Sequence, residues 1–246
     1  MREIKDLIET VEKYKTALLQ KSFKSKKNTV GYVILNGQPR ILKWYVPGLK
    51  QNMETEYEVL KKGFSELSIP SPLEKDTENN VLVLSYIQGM NVCDHLNDPQ
   101  VDLEGKKKTT MRLADWLLAF HSFFKTENEF RIRGDPSLRN FILGRDRVWG
   151  LDFEESRMGA PVEDLAGVFV SILSSEPMFT EEKFQLGQIL LDSYRKLAKW
   201  EIENINAQVS YGLLERIQWR PNDEAILRKY ATKIRQKGLH AARHNY

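Results

Sequence analysis

The sequence lacks the residues and runs that mark several common classes of protein. It has one cysteine, Cys93, which excludes an internal disulfide and a cysteine-rich zinc site. No apolar run approaches the roughly 20 residues of a transmembrane helix, and the charged start MREIKDLIETVEKYK lacks the apolar core of a signal peptide. Internal repeats and low-complexity segments are also missing. These absences predict a folded protein of the reducing cytoplasm with no membrane span.

The chain also lacks a strong charge of either sign. It has 37 Lys and Arg against 34 Asp and Glu, for a formal net charge of +3. This balance suits an anionic ligand such as a nucleotide, but it is too small to indicate nucleic acid by itself. With 41% hydrophobic and 29% charged residues, the composition is that of a globular protein and excludes extensive disorder.

The N-terminal part of the chain carries the strand signals. Apolar spacing predicts helices over residues 2–19 and 52–66, and the basic segment that starts at Lys21 is interpreted as a loop. Strands are predicted over the ranges 29–35, 41–46 and 81–87. The dipeptide Asn36-Gly37 indicates a hairpin turn between the first two strands.

Beyond Gly89 the pattern becomes helical. A helix is predicted over residues 106–125, and almost everything after Pro161 has helical spacing. We therefore predict an α+β fold with two lobes. Residues 1–88 would form an N-terminal lobe with an extra helix, an antiparallel sheet and one packed helix. Residues 89–246 would form a helical C-terminal lobe that contains the catalytic and metal-binding loops.

One segment, RIRGDPSLRNFIL, is difficult to explain by structure alone. It places Asp135 and Asn140 five positions apart, just before an apolar run, and Asp152 follows in GLDFEES. Phosphoryl transfer from ATP needs oxygen ligands for Mg²⁺, a cation on the phosphates and a carboxylate near the attacking hydroxyl. In this layout Asp135 would be the base, and Asn140 and Asp152 would bind the metal.

The wider segment RGDPSLRNFIL…VWGLDFEES…GAPVEDLA resembles the protein-kinase-like superfamily, most closely the aminoglycoside and choline phosphotransferases and the RIO-type kinases. Those families have an H-G-D-x4-N loop, a strand that ends in Asp-Phe or Asp-Trp, and G-x-P-x-x-D-L-A at a helix start. The matching residues, in order, are Gly134, Asp135, Asn140, Asp152, Phe153, Gly159, Pro161, Asp164 and Leu165. The resemblance implies a two-lobed protein-kinase-like fold with ATP and Mg²⁺ or Mn²⁺ between the lobes.

The same resemblance assigns roles in the N-terminal part. Lys43 matches the phosphate-contacting lysine, and Glu56 matches the helix glutamate that pairs with it, with Glu54 as the alternative register. The remaining predicted nucleotide-binding residues are Ser25 in the phosphate-covering loop, Val30 in the strand that follows it, and Ser85, Tyr86 and Ile87 at the hinge that would hold the adenine.

This chain departs from the family pattern at three places. The phosphate-covering loop has Phe23, Ser25 and Asn28 where glycines are expected, and it carries the lysines at 24, 26 and 27. Arg133 stands in place of the usual histidine, and Glu154 stands in place of a glycine.

Two further residues in the region of resemblance are interpreted as structural. His121 is predicted to be a core histidine whose ring bonds to the backbone. Asp164 is expected to bond the catalytic-loop backbone or to cap the helix that begins near Pro161.

The sequence thus predicts a kinase that transfers the γ-phosphoryl group of ATP to a hydroxyl. The acceptor is left open among a protein serine or threonine, a sugar, an amino alcohol and an antibiotic. A catalytically weak or inactive nucleotide-binding scaffold is the alternative, favoured by the glycine-poor loop. A third alternative is an RNA-associated ATPase that uses the basic segments at 22–27 and 228–244.

Overall fold

The computed structural model describes residues 3–23 and 27–242. The chain divides into two compact units. Unit 1 joins Met1–Gln88 to Leu151–Ser156, and unit 2 joins Gly89–Gly150 to Arg157–Tyr246. The sequence analysis places every residue after 88 in the second lobe, whereas the structure groups the segment 151–156 with the N-terminal strands.

Unit 1 is built on a five-stranded sheet in which every pair of neighbours is antiparallel, in the order β1-β2-β3-β5-β4. Its strands are β1 (Leu18–Phe23), β2 (Thr29–Leu35), β3 (Gln38–Trp44), β4 (Pro72–Asp76) and β5 (Val81–Ser85), and its helices are α1 (Ile4–Thr10) and α2 (Lys50–Gly63). Asn36 and Gly37 have φ of 51° and 73° in the β2–β3 turn. Two positive φ values are what a tight hairpin requires, so the predicted turn is confirmed.

The two faces of this sheet have different chemistry because side chains alternate along a strand. The face covered by α1 is apolar, with a core that includes Ile4, Leu7, Val33, Leu42, Val81 and Val83. Lys43 follows Leu42 and therefore points to the opposite face, where α2 supplies Glu56. Val30 is the cross-strand neighbour of Lys43 and shares that face. The sheet thus separates an apolar core from a polar face.

The prediction of one helix over residues 2–19 is wrong. Helix α1 ends at Thr10, a 3-10 turn covers Glu12–Tyr14, and β1 begins at Leu18. The basic segment from Lys21, interpreted as a loop, contributes instead to the end of β1. That strand lies at the sheet edge with mostly exposed side chains. It therefore has no alternation of apolar and polar residues that a sequence pattern could detect.

Unit 2 is mainly helical. Its helices are α3 (Val92–Asn97), α4 (Leu103–Phe124), α5 (Pro161–Leu173), α6 (Glu181–Leu197), α7 (Ile205–Glu215) and α8 (Glu224–Ala242). Its short strands are β6 (Met90–Asn91), β7 (Phe130–Ile132), β8 (Phe141–Leu143), β9 (Val148–Gly150) and β10 (Arg157–Gly159), in the sheets β6-β8-β9 and β10-β7. The α+β class is therefore confirmed. Over the described ranges, every helix is too short or too polar to span a membrane.

Side-chain caps set the beginnings of several unit 2 helices. Asn91 accepts a hydrogen bond from the Cys93 amide at the start of α3, and Asp102 accepts one from the Gly105 amide at the start of α4. Pro161 begins α5, where its fixed φ suits the first turn and its missing N–H is not needed. These local signals explain why α3, α4 and α5 begin at these residues.

Lys183 of α6 is a buried cation in unit 2, with only 3% of its surface exposed. Its ammonium group donates to Asn97 Oδ1 at 2.8 Å, to Ser175 Oγ at 2.6 Å and to the Ser175 carbonyl. All three acceptors are neutral. Burial is the main effect and lowers the pKa of Lys183 to about 8, although nearby acidic groups oppose the shift.

This pKa gives unit 2 a defined pH dependence. In the unfolded chain a lysine keeps its proton up to about pH 10.4, so between the two pKa values the unfolded state binds more protons and stability rises with pH. We expect the free energy of unfolding of the wild type, minus that of Lys183→Met, to increase by about 1–2 kcal/mol from about pH 7.5 to 9.5. Urea denaturation of both proteins at each pH measures this difference.

Lys107→Met is the matched control, since Lys107 pairs at the surface with Glu104. Its difference from the wild type should stay flat across the same pH range. A flat difference for Lys183→Met as well would contradict a lowered pKa.

Candidate active site

Lys43 lies at the centre of a buried charge cluster in unit 1. Its Nζ is 2.6 Å from Glu56 Oε2, 2.6 Å from Asp152 Oδ1 and 2.9 Å from Glu154 Oε2. An ammonium group has three N–H donors, so three carboxylates match its full capacity. Glu54, the alternative to Glu56, pairs instead with Lys75 at 2.7 Å. The structure thus brings together the predicted Lys43, Glu56 and Asp152.

The cluster holds more negative than positive charge. Burial opposes the charge of the ammonium group, but Glu56 and then the other acidic neighbours raise the pKa of Lys43 well above its usual value. Lys43 therefore stays protonated. Burial also raises the pKa of Glu154, against the attraction of Lys43. Three carboxylates therefore share one ammonium group, which leaves the cluster with an excess of negative charge.

Tyr45 completes the cluster, and sequence analysis missed it. Its hydroxyl donates to Glu56, and burial raises the pKa of Tyr45, so the phenol remains a donor. Tyr45 is two positions after Lys43 in an extended segment, which places both side chains on one face of the sheet. The alternation of side chains along the strand was the sequence signal that could have identified Tyr45.

The donor set in this cluster fits a hard divalent cation. Glu56, Asp152 and Glu154 each offer an oxygen, and these atoms lie within 4.8 Å of one another. Carboxylate oxygens suit Mg²⁺ or Mn²⁺. Asp152 is the accessible member, since 39% of its side chain is exposed. Its φ of 61° is unusual for a residue other than glycine, and such backbone geometry is concentrated at functional sites.

The glycine-poor loop contacts the same cluster. Asn28 Nδ2 donates to Glu154, and Lys27 pairs with Glu155. Ser25, predicted to contact the nucleotide, lies outside the described residues, as do the lysines at 24 and 26. Asn28 therefore connects the end of this loop to a carboxylate that also bonds Lys43.

The predicted hinge follows β5. The amide of Ser85 donates to the Ser71 carbonyl at 3.0 Å, and the Ser85 hydroxyl accepts from the Ser71 amide at 2.9 Å. The ring of Tyr86 stacks on Tyr32, with centroids 4.2 Å apart. Ile87 is the next residue and lies just past the strand end. The roles of Ser85, Tyr86 and Ile87 in holding adenine stay predictions.

In unit 2, Asp164 holds the backbone of the catalytic loop. Its carboxylate accepts hydrogen bonds from the amides of Arg133, at 2.7 Å, and Gly134, at 3.3 Å. Gly134 has a φ of 80°, which a residue with a Cβ rarely adopts. His121 Nε2 is 3.0 Å from the same carboxylate, and its Nδ1 is 2.8 Å from the Tyr194 hydroxyl. His121 is buried as predicted, but it bonds side chains rather than the backbone.

The loop presents Asp135 to solvent. Asn140 Nδ2 donates to the carbonyl of Asp135 at 3.1 Å and to its carboxylate at 3.2 Å. Within the described ranges, the amide oxygen of Asn140 makes no hydrogen bond, so it remains available as a ligand. Asp152 belongs to unit 1 and Asn140 to unit 2. Their assignment as the two metal ligands stays a prediction.

Arg133, which replaces the expected histidine, is fully buried. Its guanidinium carbon lies 4.3 Å from the ring centroid of Phe141 and 5.3 Å from that of Trp116. Planar guanidinium groups stack well on aromatic faces, so this arginine can fill an aromatic position in the core. Packing against these two rings therefore accommodates an arginine at the position where the resemblance predicts a histidine.

No protein-family model and no curated protein sequence matches this chain. Solved structures do match. The gentamicin complex of the aminoglycoside phosphotransferase APH(2")-IIa has a TM-score of 0.62 and 13% identity, covering 99% of this chain and 95% of that chain. The macrolide 2'-phosphotransferase MphH of Brachybacterium faecium has a TM-score of 0.62 and 12% identity, covering 94% and 97%.

The choline kinase LicA of Streptococcus pneumoniae has a TM-score of 0.59 and 16% identity, covering 96% of this chain and 97% of that chain. All three are kinase-like phosphotransferases. At these identities the similarity shows the fold, so the protein-kinase-like fold predicted from the motifs is confirmed.

Removing the central cation should destabilise unit 1 in a pH-dependent way. We expect Lys43→Met to lower the free energy of unfolding by about 3–5 kcal/mol at neutral pH, because three carboxylates lose their common partner. Burial already raises the pKa of Glu154, and the attraction of Lys43 that opposes this shift would be gone in the variant, so the pKa of this carboxylate in the folded state would lie further above its unfolded value. Stability is then lost as pH rises, so the deficit should shrink from about pH 7.5 to 5.5.

Lys75→Met is the control, because Lys75 pairs with Glu54 in a partly exposed ion pair. It should cost at most about 1 kcal/mol, with little pH dependence in this range. Denaturation of both variants at the two pH values tests the expectation. A Lys43→Met protein as stable as the wild type at neutral pH would show that the cluster does not depend on this cation.

Proposed function

We propose that this protein transfers the γ-phosphoryl group of ATP to a hydroxyl group of a small molecule. The observation that carries the proposal is the ammonium group of Lys43, 2.6 Å from both Glu56 and Asp152. Three separate segments of sequence converge at this atom. A lysine with no binding role could remain in solvent and would not need three carboxylate partners. A lysine that binds phosphate has to be held in a fixed position.

Each proposed group has a distinct task. Lys43 would donate to phosphate oxygens, and Glu56, with Tyr45 bonded to it, would fix the direction of the lysine side chain. Asp152 and Asn140 would hold Mg²⁺ or Mn²⁺, which would neutralise charge on the phosphates. The carboxylate oxygens of Glu56, Asp152 and Glu154, which lie within 4.8 Å of one another, support these metals at the Asp152 end of the site.

Asp135 would act on the acceptor. Its carboxylate accepts the hydroxyl proton while the hydroxyl oxygen bonds to the γ-phosphorus, and the bond from that phosphorus to the bridging oxygen of ADP breaks. The products are a phosphate ester and ADP. Because Asp135 is exposed, it can release the proton to water. Asp164 and Asn140 support this role by holding the backbone and side chain of the loop.

A small-molecule acceptor is supported by the structural neighbours. Their names refer to gentamicin, macrolide and choline, each a small molecule with hydroxyl groups. The coverage is nearly complete in both directions, so the likeness extends over the C-terminal helices as well as the catalytic loop. We therefore prefer a small alcohol over a protein serine or threonine.

A non-catalytic nucleotide-binding scaffold is the second candidate. One observation favours it. The end of the glycine-poor loop is bonded to the acidic segment through Asn28 and Glu154 and through Lys27 and Glu155. A loop held in this way would cover phosphates less readily than one free to close. The intact set of Asp135, Asn140 and Asp152 disfavours this alternative.

Two variants separate the roles of the catalytic carboxylates. Asp152→Asn should weaken metal-dependent ATP binding and abolish transfer together, because it removes a charged metal ligand. Asp135→Asn should leave Mg²⁺–ATP affinity nearly unchanged and lower the transfer rate by about 10²–10⁴-fold, the scale of a general base. Calorimetry measures affinity, and labelled ATP with a panel of small alcohols measures transfer.

Asp146→Asn serves as the control, since Asp146 is an exposed aspartate that pairs with Arg147. It should match the wild type in both measurements. Wild-type turnover in Asp135→Asn would refute the mechanism. Metal-dependent ATP binding with no transfer or hydrolysis in the unmutated protein would favour the scaffold instead.

A further inference from the structure

Two arginines of unit 2 converge on one serine. Arg216 and Arg220 lie in the turn that follows α7. Arg216 Nη1 donates to the Ser174 hydroxyl, and Arg220 Nη1 donates to the Ser174 carbonyl. Ser174 is the residue at the C-terminal end of α5. Both guanidinium groups are therefore anchored to the end of the same helix.

One face of α5 connects these arginines to the catalytic loop. Gly167, Ser171 and Ser174 are spaced at i, i+4 and i+7, so they lie on a single helical face. At Gly167 the helix approaches the loop so closely that an added Cβ would lie 2.3 Å from Pro136 Cγ. The Ser171 hydroxyl accepts from the Leu138 amide at 3.1 Å. The same face thus contacts the residues around Asp135 and, about two turns later, Arg216.

The two arginines differ in how their charge is compensated. Arg220 pairs with Asp223 at 2.5 Å and with Glu176 at 3.3 Å. In the part of the chain that the structure describes, no carboxylate oxygen lies within 4.0 Å of Arg216. Burial and then Arg220 lower the pKa of Arg216, and Asp135 opposes them. Arginine nevertheless stays protonated, so Arg216 is a partly buried cation, and the carboxylate that raises its pKa is that of the proposed base, Asp135.

The unused edge of Arg216 has the geometry of an anion receptor. Among the described residues only Nη1 makes a hydrogen bond, which leaves Nε and Nη2 as two parallel donors. This edge of a guanidinium group binds carboxylate or phosphate oxygens in a bidentate manner. Because Ser174 fixes the side chain, little conformational entropy would be lost on binding.

We propose that Arg216 is the acceptor-binding residue of this enzyme, and that the acceptor carries a carboxylate or phosphate group near the hydroxyl that reacts at Asp135. This inference rests on the proposed function and specifies its substrate class. Arg220 donates to the Ser174 carbonyl and is a positioning residue. The transfer is the step given above, so an anionic alcohol becomes its phosphate ester and gains negative charge.

The proposed specificity excludes cationic acceptors. Choline, named for one structural neighbour, carries a permanent positive charge that the guanidinium group of Arg216 would repel. The shared fold does not require a shared acceptor, since specificity depends on the site rather than on the scaffold. An anionic acceptor is therefore compatible with this fold.

Binding of simple probes tests the subsite directly. Glycerol 3-phosphate and glycerate are the anionic probes, and glycerol and choline are the neutral and cationic ones. We expect the wild-type protein to bind the anions at least about 10-fold more tightly than glycerol, the scale of a charged hydrogen bond. Arg216→Gln keeps a donor for Ser174 but removes the charge, and should weaken anion binding by about 10- to 100-fold.

Two further variants separate binding from folding. Arg216→Lys keeps the charge without the bidentate edge and should bind the anions with intermediate affinity. Arg228→Gln removes the same charge from a surface pair with Glu224 and should bind them like the wild type. Thermal melts identify any variant that does not fold. Equal binding of glycerol and the anions, or wild-type anion binding in Arg216→Gln, would overturn the subsite.

Phosphoryl transfer to the same probes distinguishes this inference from the proposed function. Asp135→Asn should still bind the anions while transfer is lost. Transfer that requires Asp135, prefers glycerol or choline and is unaffected by Arg216→Gln would overturn the anionic acceptor and leave the kinase function standing. Anion binding through Arg216 without ATP turnover under any condition would overturn the acceptor assignment together with the kinase function.

Discussion

The ammonium group of Lys43 joins parts of unit 1 that are far apart in sequence. It bonds carboxylates from α2 and from the segment that contains Asp152 and Glu154, while its own strand lies between two others in the sheet. A buried carboxylate without a partner is strongly unfavourable. The acidic residues that suit metal binding can therefore be buried here only because this cation is present.

In unit 2 the central buried group is an anion rather than a cation. The carboxylate of Asp164 accepts hydrogen bonds from two backbone amides of the catalytic loop and contacts the ring of His121. Hydrogen bonds to a charged acceptor are stronger than neutral ones, so the loop is held firmly although Asp135 itself is exposed. Asp152 in unit 1 and Asp135 in unit 2 are thus accessible, whereas Lys43 and Asp164, which hold the structure around them, are buried.

Local patterns in the sequence predicted much of this arrangement. Strand β2 was predicted at its observed bounds, and the Asn36-Gly37 turn followed from backbone preferences alone. The partner of Lys43 could be named only through resemblance, because Glu54 and Glu56 are equally good by composition. Edge strand β1 and the contacts of Arg216 could not be predicted, since tertiary contacts define both and neither leaves a periodic signal.

Because Leu151–Ser156 belongs to unit 1, this unit cannot fold completely early in synthesis of the chain. During synthesis the first 88 residues emerge without the carboxylates of Asp152 and Glu154. Domains generally fold in N-terminal to C-terminal order on the ribosome, but this one is incomplete until residue 156 of 246 has been added. A fragment cut after Gln88 would for the same reason not be a self-sufficient folding unit.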